Sequence, residues 1–220
     1  MMKRNGFGFT LIEIAIVLVI IGLLLGGVLK GQELINSAKV KNLAGDFRNI
    51  PLFIYGYQDK FRALPGDDAN VSNHVNGGTN CTPAAANLCA TGNGIIDGPW
   101  NASAAASESF VFWQHVRLAG LAPGTTDTSA ADYLPRNAVG GAMGVTNMTN
   151  TAIAGLKGSY IICSDSISGK FAKQLDITLD DGNTATGSMM ITAVGTAIGG
   201  AAIPTGNIVD DMPYLVCMGV

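Results

Sequence analysis

The sequence predicts an α+β fold: a long N-terminal helix, transmembrane and then amphipathic, packed on a small antiparallel β-sheet with extended loops. Three observations carry that prediction. Residues 14–29 form an uncharged apolar run. Beyond it Val40, Leu43, Phe47, Ile50, Ile54, Tyr57 and Phe61 recur at alternating steps of three and four, one stripe of a helix. Short apolar runs at 159–163, 189–194 and 214–218 then read as strands, set among stretches dominated by Gly, Ala, Thr and Asn.

The first element is a candidate membrane span. Residues 9–29 make about 31 Å of helix at about 1.5 Å per residue, enough to cross a hydrocarbon core. Lys3 and Arg4 precede it, so the positive-inside rule holds that end in the cytoplasm and sends the rest outward. A cleaved secretory signal would need small residues at a cut site after the run. Gly26, Gly27 and Gly31 are small, but the chain passes straight into the amphipathic stripe, which suits an uncut stalk. One residue does not belong in an ordinary signal anchor: Glu13. An acid near the middle of a bilayer costs roughly 2.5–3.5 kcal/mol, which makes it a functional candidate.

The stalk is expected to continue to about Phe61. Lys39, Lys41, Asp46, Arg48, Asp59 and Lys60 occupy the faces away from the stripe. Gly26-Gly27 and Pro51 are expected to bend it, the glycines by low helix propensity and the proline by its missing donor. Leu64-Pro65-Gly66-Asp67 supplies the stop. Residues 67–102 then read as irregular, 108–121 as a short helix with Phe110, Trp113, Val116 and Arg117 near one face, and 122–157 as loop. Residues 170–179 fit either period, and the Asp180-Asp181-Gly182 terminator favours a short helix.

The six residues Gly8-Phe9-Thr10-Leu11-Ile12-Glu13, preceded by Lys3 and Arg4, resemble the processing site of type IV prepilins and pseudopilins. The resemblance implies that a prepilin peptidase cuts between Gly8 and Phe9 and methylates the new terminus. It implies a pilin-like fold divided into a removed leader (1–8), a transmembrane and filament-core helix (9–30), an amphipathic stalk (31–63) and a globular head with the small sheet (64–220). Glu13 would neutralise the amine of a neighbouring subunit's Phe9 and set the axial register of each added copy. The implied partners are the peptidase, other pilin subunits and an inner-membrane assembly platform. The implied location is the bacterial inner membrane before assembly and a pilus, cell-surface or periplasmic filament after it. A type II secretion pseudopilin is one alternative, and a signal-anchored periplasmic binding domain that never polymerises is another. Leu64-Pro65-Gly66-Asp67, Trp113-Gln114-His115-Val116-Arg117-Leu118-Ala119-Gly120-Leu121 and Asp180-Asp181-Gly182 are also similar to a set of prepilin-like proteins.

The remaining chemistry is sparse. Four cysteines in an exported chain favour disulfides, with three pairings open. Cys81 with Cys89 would clip a Pro/Ala/Asn-rich loop, and Cys163 with Cys217 would join two strand candidates; the latter would resemble the disulfide-bounded C-terminal region of many type IV pilins. A cysteine metal site lacks the C-x₂-C spacing. His74 and His115 have no nucleophile motif beside them, so no enzyme is expected. Calcium is a further candidate at Asp176, Asp180 and Asp181 or at residues 93–98, although neither has EF-hand spacing and turn formation explains both. Net charge is −3, and Arg117, Arg136, Lys157, Lys170 and Lys173 are scattered, so nucleic acid is not an expected partner.

Overall fold

A computed structural model describes residues 10–82 and 88–220. The chain divides into an N-terminal unit ending at Lys39 and a head of Val40–Val220. Helix α1, Leu11–Phe61, contributes to both. Pro51 lies inside it without ending it. On either side of it Phe47, Ile50 and Ile54 are anchored in the head's core.

In the head the stripe does what its spacing predicts. Val40, Leu43, Phe47, Ile50, Ile54 and Tyr57 are buried, joined by Ala44, while Phe61 is half-buried at the end. A four-residue helix α2, Val71–His74, interrupts the stretch read as irregular. Helix α3, Glu108–Leu118, is shorter than expected. Its end is chemically defined: Gly120 takes φ 76°, its N–H donates to the Arg117 carbonyl at 2.9 Å, and the Leu121 N–H donates to the Val116 carbonyl at 2.9 Å. These are the paired bonds of a glycine-terminated helix, so residues 119–121 are cap rather than helix.

The sheet has order β1-β2-β4-β3, every pair antiparallel. Its strands are β1 (Met143–Thr146), β2 (Ile161–Ser168), β3 (Met189–Ala193) and β4 (Pro213–Gly219). Helix α4, Gly169–Leu179, follows β2 directly, which settles the ambiguous segment as helix. Strand β1 corrects the loop reading of 122–157. Its Met-Gly-Val-Thr sequence is too short to show a period, and pairing to β2 rather than local propensity makes it a strand.

Both faces of the sheet are covered. Ile162, Val145, Met189, Ile191 and Val216 face a core shared with α1, α3 and α4. Ile161, Cys163, Met190, Leu215 and Cys217 face a second cluster with Ala152, Ile153 and Leu156. This explains why β2 and β4 begin as continuous apolar runs instead of alternating ones. Two disulfides are formed. Cys163 and Cys217 sit directly opposite each other on β2 and β4, Cα atoms 4.1 Å apart, and Cys81–Cys89 closes a loop of sequence separation 8.

Candidate functional site

The N-terminal unit holds the first site. Gly8 and Phe9, the predicted cleavage pair, lie outside the described residues. From Thr10 the geometry is clear. The Glu13 carboxylate accepts from the Thr10 backbone N–H at 2.8 Å and from the Thr10 hydroxyl at 2.7 Å, and the Thr10 hydroxyl accepts from the Glu13 N–H at 3.3 Å. This is a reciprocal capping box, a Thr and a Glu three residues apart each satisfying an orphan donor of the helix start. The T-x-x-E spacing was visible in the sequence and is the signal that the reading of Glu13 as a lone acid missed. Glu13 is thus fixed at the positive end of the helix dipole. Every residue from Leu11 to Lys30 is exposed, Leu11 by 93%. This stretch is long and apolar enough to cross a membrane, and none of it is buried by the protein itself.

Residues 1–29 match a family model described as the prokaryotic N-terminal methylation motif. The chain carries a prepilin-type signal. This motif marks type IV pilins and pseudopilins, a class of structural proteins, and its Gly8-Phe9 junction and Glu13 fall within the matched residues. With the exposed apolar helix behind it, the motif points to membrane anchoring of a pilin-like or pseudopilin precursor. No curated protein and no solved structure matches the chain significantly.

The head of this motif-bearing chain has its own polar centres. Gly66 takes φ 92°, and a Cβ there would lie 2.6 Å from the Glu108 carbonyl, so Leu64-Pro65-Gly66-Asp67 is a turn only glycine completes. It aims Asp67 at three backbone amides, those of Gly92, Asn93 at 3.1 Å and Gly94 at 2.6 Å. Burial still outweighs these donors and raises the Asp67 pKa. Residues 93–98, weighed above for calcium, supply two of these amides, those of Asn93 and Gly94, and the Asn93 side chain donates to Asp97 at 2.9 Å. Asp68 accepts from the Tyr57 hydroxyl at 2.7 Å and lies 2.6 Å from His74 Nδ1. Burial would raise it, but hydrogen bonds from His74, Tyr57 and the Asn70 amide hold its carboxyl below the usual range.

Helix α3 is buried from Glu108 to Arg117, although half of those residues are polar. Each is tied down. His115 Nε2 donates to the Thr79 carbonyl at 2.9 Å while Nδ1 accepts from the Gly66 N–H at 2.9 Å, which fixes one neutral tautomer. Burial lowers its pKa further. Arg117 donates to the carbonyls of Pro123, Thr125 and Tyr133, so one cation in the scattered set is an internal brace. Glu108 is pushed up to about 7, first by burial and then by Asp67 and Asp97. Its Oε2 accepts from the Asp97 N–H at 2.8 Å, and its Oε1 has no partner among the described residues.

The third centre joins three acids read from the sequence. Asp176, Asp180 and Asp181 bring carboxylate oxygens within 4.8 Å of one another. Burial, then Asp180 and Asp181, push Asp176 up to about 6, and the nearby Gly182 amide offsets part of the rise without reaching hydrogen-bond geometry. Cys81 and Cys89 also approach Glu108, but they are bonded to each other and offer no thiolate.

Proposed function

We propose that this chain is a structural subunit of a type IV pilus-like filament, cut after Gly8 by prepilin peptidase and assembled through its N-terminal helix. The observation that carries this reading is the methylation motif at residues 1–29, together with the uncovered apolar side chains of the helix from Leu11 to Leu29. A helix apolar on every side needs lipid or other apolar helices around it. Lipid serves the monomer, and the helices of neighbouring subunits serve the filament core.

Glu13 gives the assembly its register. Removed from water, its carboxylate is tolerable only when paired. Thr10 supplies neutral donors at one side of the helix start. The free amine of a neighbouring, processed Phe9 supplies the cation. One acid and one amine per subunit fix each axial step, because a slipped register leaves both charges unpaired. Leader removal is therefore required for assembly, since it creates the amine. The head forms the filament surface.

Mass spectrometry of the N-terminal peptide from native cells tests the reading. A chain beginning at N-methylated Phe9 supports it, and one beginning at Met1 or beyond Leu29 overturns it. Glu13→Ala should then leave the subunit in the membrane and remove it from sheared or detergent-resistant filaments; normal assembly of this variant would overturn the role of Glu13.

A further inference from the structure

The C-terminal end of α4 carries the wrong charge for a helix end. Carbonyl groups accumulate there, and cations in the last turn ordinarily compensate them. Helix α4 has no basic residue in its last turn. It has instead Asp176, Asp180 and Asp181. Lys173, one turn before Asp176, is committed elsewhere, 2.5 Å from Asp210.

The three acids are not equivalent. Asp180 accepts from the Met189 N–H at 2.8 Å and the Ser188 hydroxyl at 3.0 Å, and Asp181 accepts from the Asn183 N–H at 2.7 Å and the Thr186 hydroxyl at 3.0 Å. Those contacts build the loop leading to β3. Asp176 builds nothing. It is wholly buried, and neither carboxylate oxygen has a hydrogen-bond partner among the described residues, yet both other acids lie within reach of it. An unpaired buried carboxylate facing two more carboxylates at the negative end of a helix is intelligible if a cation completes the group.

We propose that Asp176, Asp180 and Asp181 bind a calcium ion, with Asp176 as the interior ligand and exposed Asp181 as the outer one. The donor set is all oxygen and contains no imidazole or thiolate, which selects a hard cation. Calcium accepts six to eight oxygens at about 2.3–2.6 Å in flexible geometry, so a pair of its ligands can stand as far as about 5 Å apart. Magnesium, at about 2.0–2.1 Å in a near-ideal octahedron, would draw them closer than about 4.2 Å. In the loop from Gly182 to Ser188, the Thr186 and Ser188 hydroxyls already lie against Asp181 and Asp180. The ion would tie the end of α4 to the start of β3.

The test uses the full chain in a non-ionic detergent, stripped of divalent ions and titrated with calcium chloride by calorimetry, with melting curves alongside. One ion should bind per chain and raise the melting temperature. Asp181→Asn, at an exposed position that spares the fold, should weaken binding at least tenfold. Asp176→Asn should raise the melting temperature in metal-free buffer, by removing repulsion, and abolish the response to calcium. Should Asp176→Asn fail to fold, the Asp181→Asn titration decides. A wild-type chain whose melting ignores calcium, an Asp181→Asn chain that titrates like wild type, or magnesium acting equally at the same concentration would overturn the proposal.

Discussion

Helix α1 offers the same residue types in two circumstances. In its first part Leu11 is 93% exposed, and Leu23, Leu24 and Leu25 are exposed as well; in its later part Leu43, Phe47 and Ile54 are wholly buried. The local helical structure is the same, so burial rather than conformation distinguishes the two. The later part is complete in itself, because one stripe meets the head's core and Lys41, Arg48, Asp59 and Lys60 stand exposed on the other faces beside Leu52 and Tyr55. The earlier part is apolar all round, and its stability is set by what surrounds it. Helix propensity and capping form the first region, while tertiary packing forms the second.

Matched truncations sharpen this contrast most. Phe47→Ala should lower the unfolding free energy of the detergent-solubilised chain by about 3–5 kcal/mol in denaturant titrations, through lost transfer energy and a cavity. Leu24→Ala, of the same kind but exposed, should change it by no more than about 0.5 kcal/mol. Equal effects would mean that the two regions unfold as one.

The head itself contains unequal staples. Replacing Cys163 and Cys217 by Ser releases a loop of separation 54 and should cost about 4 kcal/mol; the same change at Cys81 and Cys89, separation 8, should cost about 2.5 kcal/mol on chain-entropy grounds. Equilibrium unfolding of both double variants checks the ranking, and a reversal would place native-state strain above loop length.

A pH series probes the head's buried acids. Glu108 goes from an ordinary 4.5 to about 7 on folding, so between those values the folded state keeps a proton that the unfolded state has lost. Stability should therefore fall as pH rises through that window. Glu108→Gln should flatten most of the slope and leave the variant more stable than wild type at pH 8, on the order of 2 kcal/mol. Asp176, pushed up to about 6, keeps a smaller slope of the same sign. A variant less stable than wild type at pH 8 would show that the charged Glu108 is needed.

The smallest effect belongs to the other region. Thr10→Ala removes the capping box and should destabilise the first turn of α1 by about 1 kcal/mol, seen as faster amide exchange at Leu11 to Ile14 with no change in the head. Altered exchange in β2 or β4 would instead couple the two regions.

Much of this fold is local and therefore readable. The stripe from Val40 to Tyr57 repeats often enough to define its face, α4 is marked by Phe171 and Leu175 before its terminator, and β2, β3 and β4 are concentrated apolar runs. What escaped depends on partners distant in sequence. Strand β1 exists through its pairing to β2, and Ala152, Ile153 and Leu156 acquire meaning by covering the sheet's second face. The motif site was legible because six consecutive residues carry it. Asp67 among the amides of Gly92–Gly94 was not, since some 25 residues intervene. The isolation of Asp176 was invisible for the same reason, as a hydrogen-bonding inventory requires the whole neighbourhood.

The bond between Cys163 and Cys217 also has a mechanical side. It converts α4, β3 and the loops between them into a covalent ring, with both ends emerging from adjacent positions on neighbouring strands. At about 3.5 Å per residue, the separation of 54 withholds roughly 190 Å of contour from any pull on the chain. Force applied through the two termini would bypass the ring and load the flanking segments, and only a reductant would release the hidden length.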